Sequence, residues 1–139
     1  MATGPGGTET ILVVDDDAEM LSFVGDALQM HGYTVLATTD PREALRWGRT
    51  HSGPIHLLVS DVVMPLMHGR ELAAELRAIL PGLKVMFMSG ASPAEVADHG
   101  LGLAFGQPYL SKPFSIDALT NTVRAALDYR LPFSKPPPS

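Results

Sequence analysis

The sequence predicts a single doubly wound α/β domain, five parallel strands alternating with helices. Three observations carry that expectation. The chain has 139 residues, enough for one domain that removes roughly two-thirds of its unfolded surface from water. Short apolar runs stop abruptly at polar residues: Ile11-Leu12-Val13-Val14 at Asp15, Leu57-Leu58-Val59-Ser60 at Asp61, Val85-Met86-Phe87-Met88 at Ser89, and Tyr109-Leu110-Ser111 at Lys112. Runs of this length and character read as buried parallel strands. Between them lie segments with helical apolar spacing and their own start and stop signals, so strand and helix alternate along the chain.

Residues 1–9 are rich in Gly and Thr and are expected to form a flexible arm ahead of a folded domain at 10–129. Residues 11–15 form the first strand. Asp17 is placed to cap a helix to about His31, with Met20, Phe23, Val24, Ala27 and Leu28 on one face and Gly32 as its stop. Tyr33 to Thr38 is the second strand. Asp40-Pro41-Arg42-Glu43 combines a cap, a Pro at the first helical position and a Glu three residues after the cap, opening a helix to about Thr50. Ile55 to Ser60 is the third strand. A helix over 71–80 turns Leu72, Leu76 and Ile79 inward and ends at Pro81-Gly82, before a fourth strand from Leu83 to Met88. Ser92-Pro93-Ala94-Glu95 opens a short helix ending near His99-Gly100. Ala104 to Leu110 is the fifth strand, at a sheet edge because Pro108 has no N–H to donate. Ser115 caps a last helix to about Tyr129, with Leu119, Val123 and Leu127 inward. The Pro-rich residues 130–139 are expected to be a disordered tail.

Composition narrows the function. Hydrophobic content of 45% and charged content of 18% indicate a globular chain. A net charge of −5 without a block of Lys or Arg argues against direct binding to nucleic acid or to a membrane surface. There is no cysteine, hence no disulfide frame or thiolate zinc site, and the histidines lack metal-ligand spacing. No apolar run approaches membrane-span length, and the start Met-Ala-Thr-Gly-Pro-Gly-Gly does not resemble a secretion signal. A cytoplasmic location is expected.

In open α/β sheets ligands sit beyond the carboxyl ends of the strands. The four strand ends therefore bring carboxylates, a hydroxyl and an ammonium to one crevice. Asp15-Asp16-Asp17 alone reads equally well as a solvated helix N-terminus. Asp61 shifts that balance, because carboxylates converging within ~4–6 Å raise one another's pKa. A hard cation relieves the repulsion, and Mg²⁺ takes oxygen ligands of this kind. An Asp at the exit of a central strand is poorly explained by packing, and a carboxylate can act as a nucleophile towards phosphorus. The plain alternative is that Asp61 caps the next helix. Pro65 then stops the strand and Gly69 permits a tight turn. Ser89 can donate to a phosphoryl oxygen, although Ser-Gly at a strand end is also an ordinary turn. Lys112 would neutralise the pocket as a compact cation. Pro113 and Phe114 hold it at a turn, where a cis bond before Pro113 is admissible.

These residues, in this order over about residues 10–128, resemble the receiver domain of two-component response regulators. The resemblance implies a five-stranded parallel sheet in the order 2-1-3-4-5 with five flanking helices, a flavodoxin-like receiver fold. It implies Asp61 as phosphoacceptor, and Asp15, Asp16 and the Val63 backbone carbonyl as ligands of Mg²⁺ beside Asp61. Ser89 and Lys112 match the family's Ser/Thr and Lys positions, and Tyr109 its aromatic switch position. His68 stands where the family often has Asp, a loop position not expected to carry chemistry. The implied partner is a histidine kinase or a histidine phosphotransfer protein, whose phosphohistidine supplies the phosphoryl group. Phosphorylation would shift a surface of fourth helix, fifth strand and fifth helix, through which a homodimer could also form. Such a domain assists its own phosphorylation and dephosphorylation rather than acting as a turnover enzyme.

The stretch Pro81 to Gly90 resembles receivers at the C-terminus of sensory hybrid histidine kinases. The chain reads either as a stand-alone regulator or as a piece of such a kinase. Two other functions compete. Asp15-x-Asp17 after a strand resembles the nucleophile motif of haloacid-dehalogenase-type phosphatases, but Ala18-Glu19 follows where that family wants Gly-Thr or similar. A degenerate receiver used only for docking is the other, and the complete set of Asp16, Asp61, Ser89 and Lys112 argues against it.

Overall fold

The computed structural model describes residues 5–90 and 108–128. The expected helix over 92–100, the start of the fifth strand and the tail over 130–139 lie outside the described residues. Within them the chain runs β1 (Thr10–Val14), α1 (Ala18–Met30), β2 (Thr34–Thr38), α2 (Pro41–Thr50), β3 (Leu57–Asp61), α3 (Gly69–Ile79), β4 (Lys84–Ser89), β5 (Tyr109–Ser111) and α4 (Ile116–Asp128). All strand pairs are parallel and the sheet order is β2-β1-β3-β4-β5, as the family resemblance implies.

Side chains alternate across the sheet, so each central strand feeds two cores. Leu12, Val14, Leu58, Val85 and Phe87 face α2 and α3, where Ala44, Leu45, Leu72 and Leu76 are buried. Ile11, Val13, Leu57, Val59, Met86 and Met88 face α1 and α4, where Val24, Leu28, Leu119 and Val123 are buried. β3 is buried along its whole length. It therefore shows no polar alternation, and the continuous apolar run in the sequence is the signature of that double burial.

The helix signals act as read, with two differences. Asp17 caps α1, Asp40 caps α2 with Pro41 in the first turn, and Ser115 Oγ accepts the Ala118 N–H ahead of α4. Gly32 takes a φ of 97°, which ends α1 in a conformation costly for other residues. The first difference is at α2. Glu43 does not reach back to its cap; its carboxylate pairs with Arg46 at 3.2 Å, and the Asp40 N–H donates to Thr38 Oγ1 instead. Thr38 had already supplied the acceptor the Glu would have offered. The second is Phe23, read as core and in fact 39% exposed. Its ring tilts against that of Phe114, with centroids 6.1 Å apart.

Within the stretch read as an arm, residues 6–9 make specific contacts. The Gly7 N–H donates to the His31 carbonyl at 3.2 Å. Arg124 of α4 binds the Glu9 carboxylate at 2.7 Å and the Gly6 carbonyl at 3.3 Å. The segment thereby straps the end of α1 to α4.

Candidate functional site

The three consecutive aspartates separate as β1 gives way to α1. Asp15 is fully buried at the strand exit and Asp16 is exposed. Asp17 turns back as the cap, accepting the N–H groups of Glu19 and Met20, and its own N–H donates to Asp15 Oδ1 at 2.9 Å. The solvated-cap reading of the triplet is thus right for Asp17. Asp61 ends β3, the neighbour of β1, and is 7% exposed. On the other side of β3, the end of β4 carries the buried Ser89. The Ser89 carbonyl accepts the Lys112 N–H at 2.9 Å. The Lys112–Pro113 peptide bond is cis.

Carboxylate oxygens of Asp15, Asp16 and Asp61 lie within 4.8 Å of one another. Lys112 enters from β5, with Nζ 2.7 Å from Asp15 Oδ2 and 3.7 Å from Asp61 Oδ1. Burial pushes the Asp61 carboxyl up to about 7; the Lys112 charge opposes this, while Asp15 and Asp16 add to it. Burial alone would lower the Lys112 ammonium, but its bond to Asp15 and the surrounding carboxylates outweigh that and raise it. Three carboxylates thus share one lysine. The donor set is all oxygen, crowded and short of positive charge, which fits a hard divalent cation.

Asp61 does not cap the next helix: α3 starts at Gly69 with His68 as its cap residue. Gly69 has a role beyond the turn assigned to it. A Cβ at this position would collide with the Asp61 carbonyl oxygen, and the Gly69 N–H donates to the Val62 carbonyl at 2.8 Å. Only glycine lets the first turn of α3 close down on the Asp61 backbone. The sequence signal for this was a Gly at the start of a helix, where no stop is needed. Val63 packs half-buried on the α2 and α3 side, as does Tyr109, which stands opposite Phe87 in the ladder. The sequence placed Phe23 on the apolar face of α1 and Phe114 at the turn after Lys112 but did not pair them, because they are far apart along the chain.

Residues 11–124 match the family described as "Response regulator receiver domain". The chain belongs to that family. The receiver is 38% identical over 128 residues to the "Sensor kinase CckA" of Brucella abortus, covering 91% of this chain and 13% of that protein. It is 36% identical to the "Response regulator receiver protein CpdR" of the same organism, covering 84% of this chain and 95% of that one. Among solved structures, the receiver domain of the hybrid histidine kinase CckA superposes with a TM-score of 0.70 at 34% identity, covering 85% of this chain and 98% of that one. The resemblance of Pro81–Gly90 to hybrid-kinase receivers agrees with the two CckA matches. They give no support to a phosphatase of the haloacid dehalogenase type. The geometry also disfavours it, since Asp15 is buried and held by Lys112, and Asp17 is committed to capping α1. Among the described residues no helix is long and apolar enough to cross a membrane.

Proposed function

We propose that this receiver takes a phosphoryl group onto Asp61 from the phosphohistidine of a histidine kinase or a histidine phosphotransfer protein. The observation that carries the reading is the position of Asp61, at the exit of the central strand within 4.8 Å of two further carboxylates and 3.7 Å from the Lys112 ammonium. A carboxylate oxygen of Asp61 attacks phosphorus, the bond from phosphorus to the donor imidazole nitrogen breaks, and an aspartyl phosphate forms. Asp15, Asp16 and Asp61, with the Val63 carbonyl, are the groups that would hold Mg²⁺. When bound, the cation supplies positive charge to the carboxylates and to the phosphoryl oxygens. Lys112 holds Asp15 in place and offers its remaining protons to the incoming phosphoryl oxygen. Ser89 donates a hydrogen bond to another oxygen, and Tyr109 follows the Ser89 hydroxyl inward to switch the surface around β5. The protein has no turnover chemistry beyond making and losing this bond, and it works in the cytoplasm.

The test uses a small phosphodonor such as acetyl phosphate with Mg²⁺, followed by intact-mass analysis. Wild type gains one phosphoryl group that is labile to base, and Asp61→Asn gains none. An equal adduct on both proteins, or no adduct on wild type, overturns the assignment.

A further inference from the structure

The residue before Asp61 is polar where its surroundings are apolar. Ser60 is fully buried in β3, with Val14 of β1 and Phe87 of β4 as its partners across the ladder. By strand alternation it shares the face of Leu58, which is turned to α2 and α3. A hydroxyl taken out of water costs free energy unless it is bonded, and an apolar side chain would fill the same place without that demand.

The hydroxyl is spent on the backbone of the site. Ser60 Oγ donates to the Asp61 carbonyl oxygen at 2.9 Å. The N–H at the other end of that peptide unit belongs to Val62, and it donates to the Met88 carbonyl at 3.1 Å. Both ends of the peptide plane that leaves Asp61 are therefore held. The next carbonyl along, that of Val62, accepts the Gly69 N–H at 2.8 Å. Gly69 also leaves room for the hydroxyl, since a Cβ there would stand 3.0 Å from Ser60 Oγ. A serine that only satisfied itself would need none of the bonds that fix the rest of this turn.

We infer that Ser60 is a positioning residue for the phosphoryl site: its hydroxyl locks the peptide plane after Asp61, and so sets the aim of the Asp61 carboxylate and of the Val63 carbonyl that follows it. This rests on the reading of Asp61 as phosphoacceptor with Mg²⁺ beside it. The carboxylate oxygens of Asp15, Asp16 and Asp61 come from two strands and meet within 4.8 Å. A cation binds such a group well only when each ligand is held in place, because displacements of about 1 Å already weaken a polar site. Ser60 touches neither cation nor phosphoryl group; it acts through the backbone of Asp61.

Ser60→Ala keeps the backbone and most of the bulk and removes the hydroxyl alone. In the metal-free variant, hydrogen exchange at the Val62 and Gly69 amides should quicken while that of the β1 amides stays as in wild type. Titration calorimetry should show Mg²⁺ held about tenfold more weakly. Leu83→Ala is the control, a truncation of a buried residue beside the start of β4, at the other end of the sheet. It should lower stability and leave Mg²⁺ affinity unchanged. Wild-type exchange or wild-type affinity in Ser60→Ala overturns the inference. An equal weakening in Leu83→Ala overturns it too, since the loss would then be one of general stability. Acetyl phosphate tests the parent reading separately, on wild type. A wild type that binds Mg²⁺ and gains no phosphoryl group ends the phosphoacceptor reading, while a tenfold loss in Ser60→Ala still makes Ser60 the positioning residue of a cation site. A wild type without Mg²⁺ affinity overturns both.

Discussion

The Lys112 ammonium is bonded to Asp15 at 2.7 Å and stands 3.7 Å from Asp61. The lysine therefore binds one carboxylate directly and reaches the second only at longer range. Asp15 is fully buried, and Lys112 is its cationic partner. Burial keeps the Asp61 carboxyl high, with Asp15 and Asp16 adding to it, and the more distant, shared Lys112 charge offsets this only in part.

Lys112→Ala should accordingly do two things. It should cost about 1.5–3 kcal/mol of stability, the worth of a charge-assisted hydrogen bond to a buried carboxylate. It should also blunt the response to the phosphoryl mimic beryllofluoride with Mg²⁺. In wild type that mimic should move amides at 89–92 and 108–114; in the variant the shifts should stay near Asp61. A variant with wild-type stability and wild-type shifts would remove both roles.

The raised Asp61 pKa gives a pH dependence of defined sign. The folded protein keeps a proton on Asp61 up to about 7, against an ordinary value of 3.8 in the unfolded chain. Protons bound preferentially by the folded state make stability fall as pH rises from about 4 to about 7, then level off. The full effect is on the order of 4 kcal/mol as an upper bound. Asp61→Asn should therefore melt well above wild type at pH 8 in chelator, with the gap closing at pH 4.5. A gap that is the same at both values would show that Asp61 titrates normally.

Metal should act on the same group. Millimolar Mg²⁺ should raise the melting temperature of wild type at pH 7.5, by mass action on the folded state. Asp16→Ala should lose most of that increment. Without metal it should melt above wild type, because one of the charges that disfavours ionised Asp61 is gone. Calorimetric melts with Mg²⁺ and with chelator measure both effects, and a variant that keeps the full increment would exclude Asp16 as a ligand.

Gly69→Ala should be costly although alanine is the better helix former. Its Cβ has to displace the Asp61 carbonyl, and overpacking of this kind costs about 1–3 kcal/mol. Gly82→Ala is the control, since a Cβ there meets nothing within 4 Å. Chemical denaturation of the two variants compares them directly. Equal stability would mean that α3 can shift away from Asp61 without penalty.

The alternation of strands and helices, the caps at Asp17, Asp40 and Ser115, and the meeting of Asp15, Asp61, Ser89 and Lys112 at one sheet end were all legible in the amino-acid order. Each rests on local chemistry: an apolar run long enough to cross a buried sheet, or a side chain able to bond the next free N–H. The tertiary structure alone decided how the aspartates divide their tasks, since exposure and partners come from strands distant in sequence. It alone turned Phe23 outward onto Phe114, gave Glu43 to Arg46, and pressed Gly69 against the Asp61 carbonyl. Sequence spacing fixes which face of a helix or strand a residue occupies. What meets that face depends on how the parallel strands order and on how closely the helices settle onto them, and those distances are set by the packing of the whole domain.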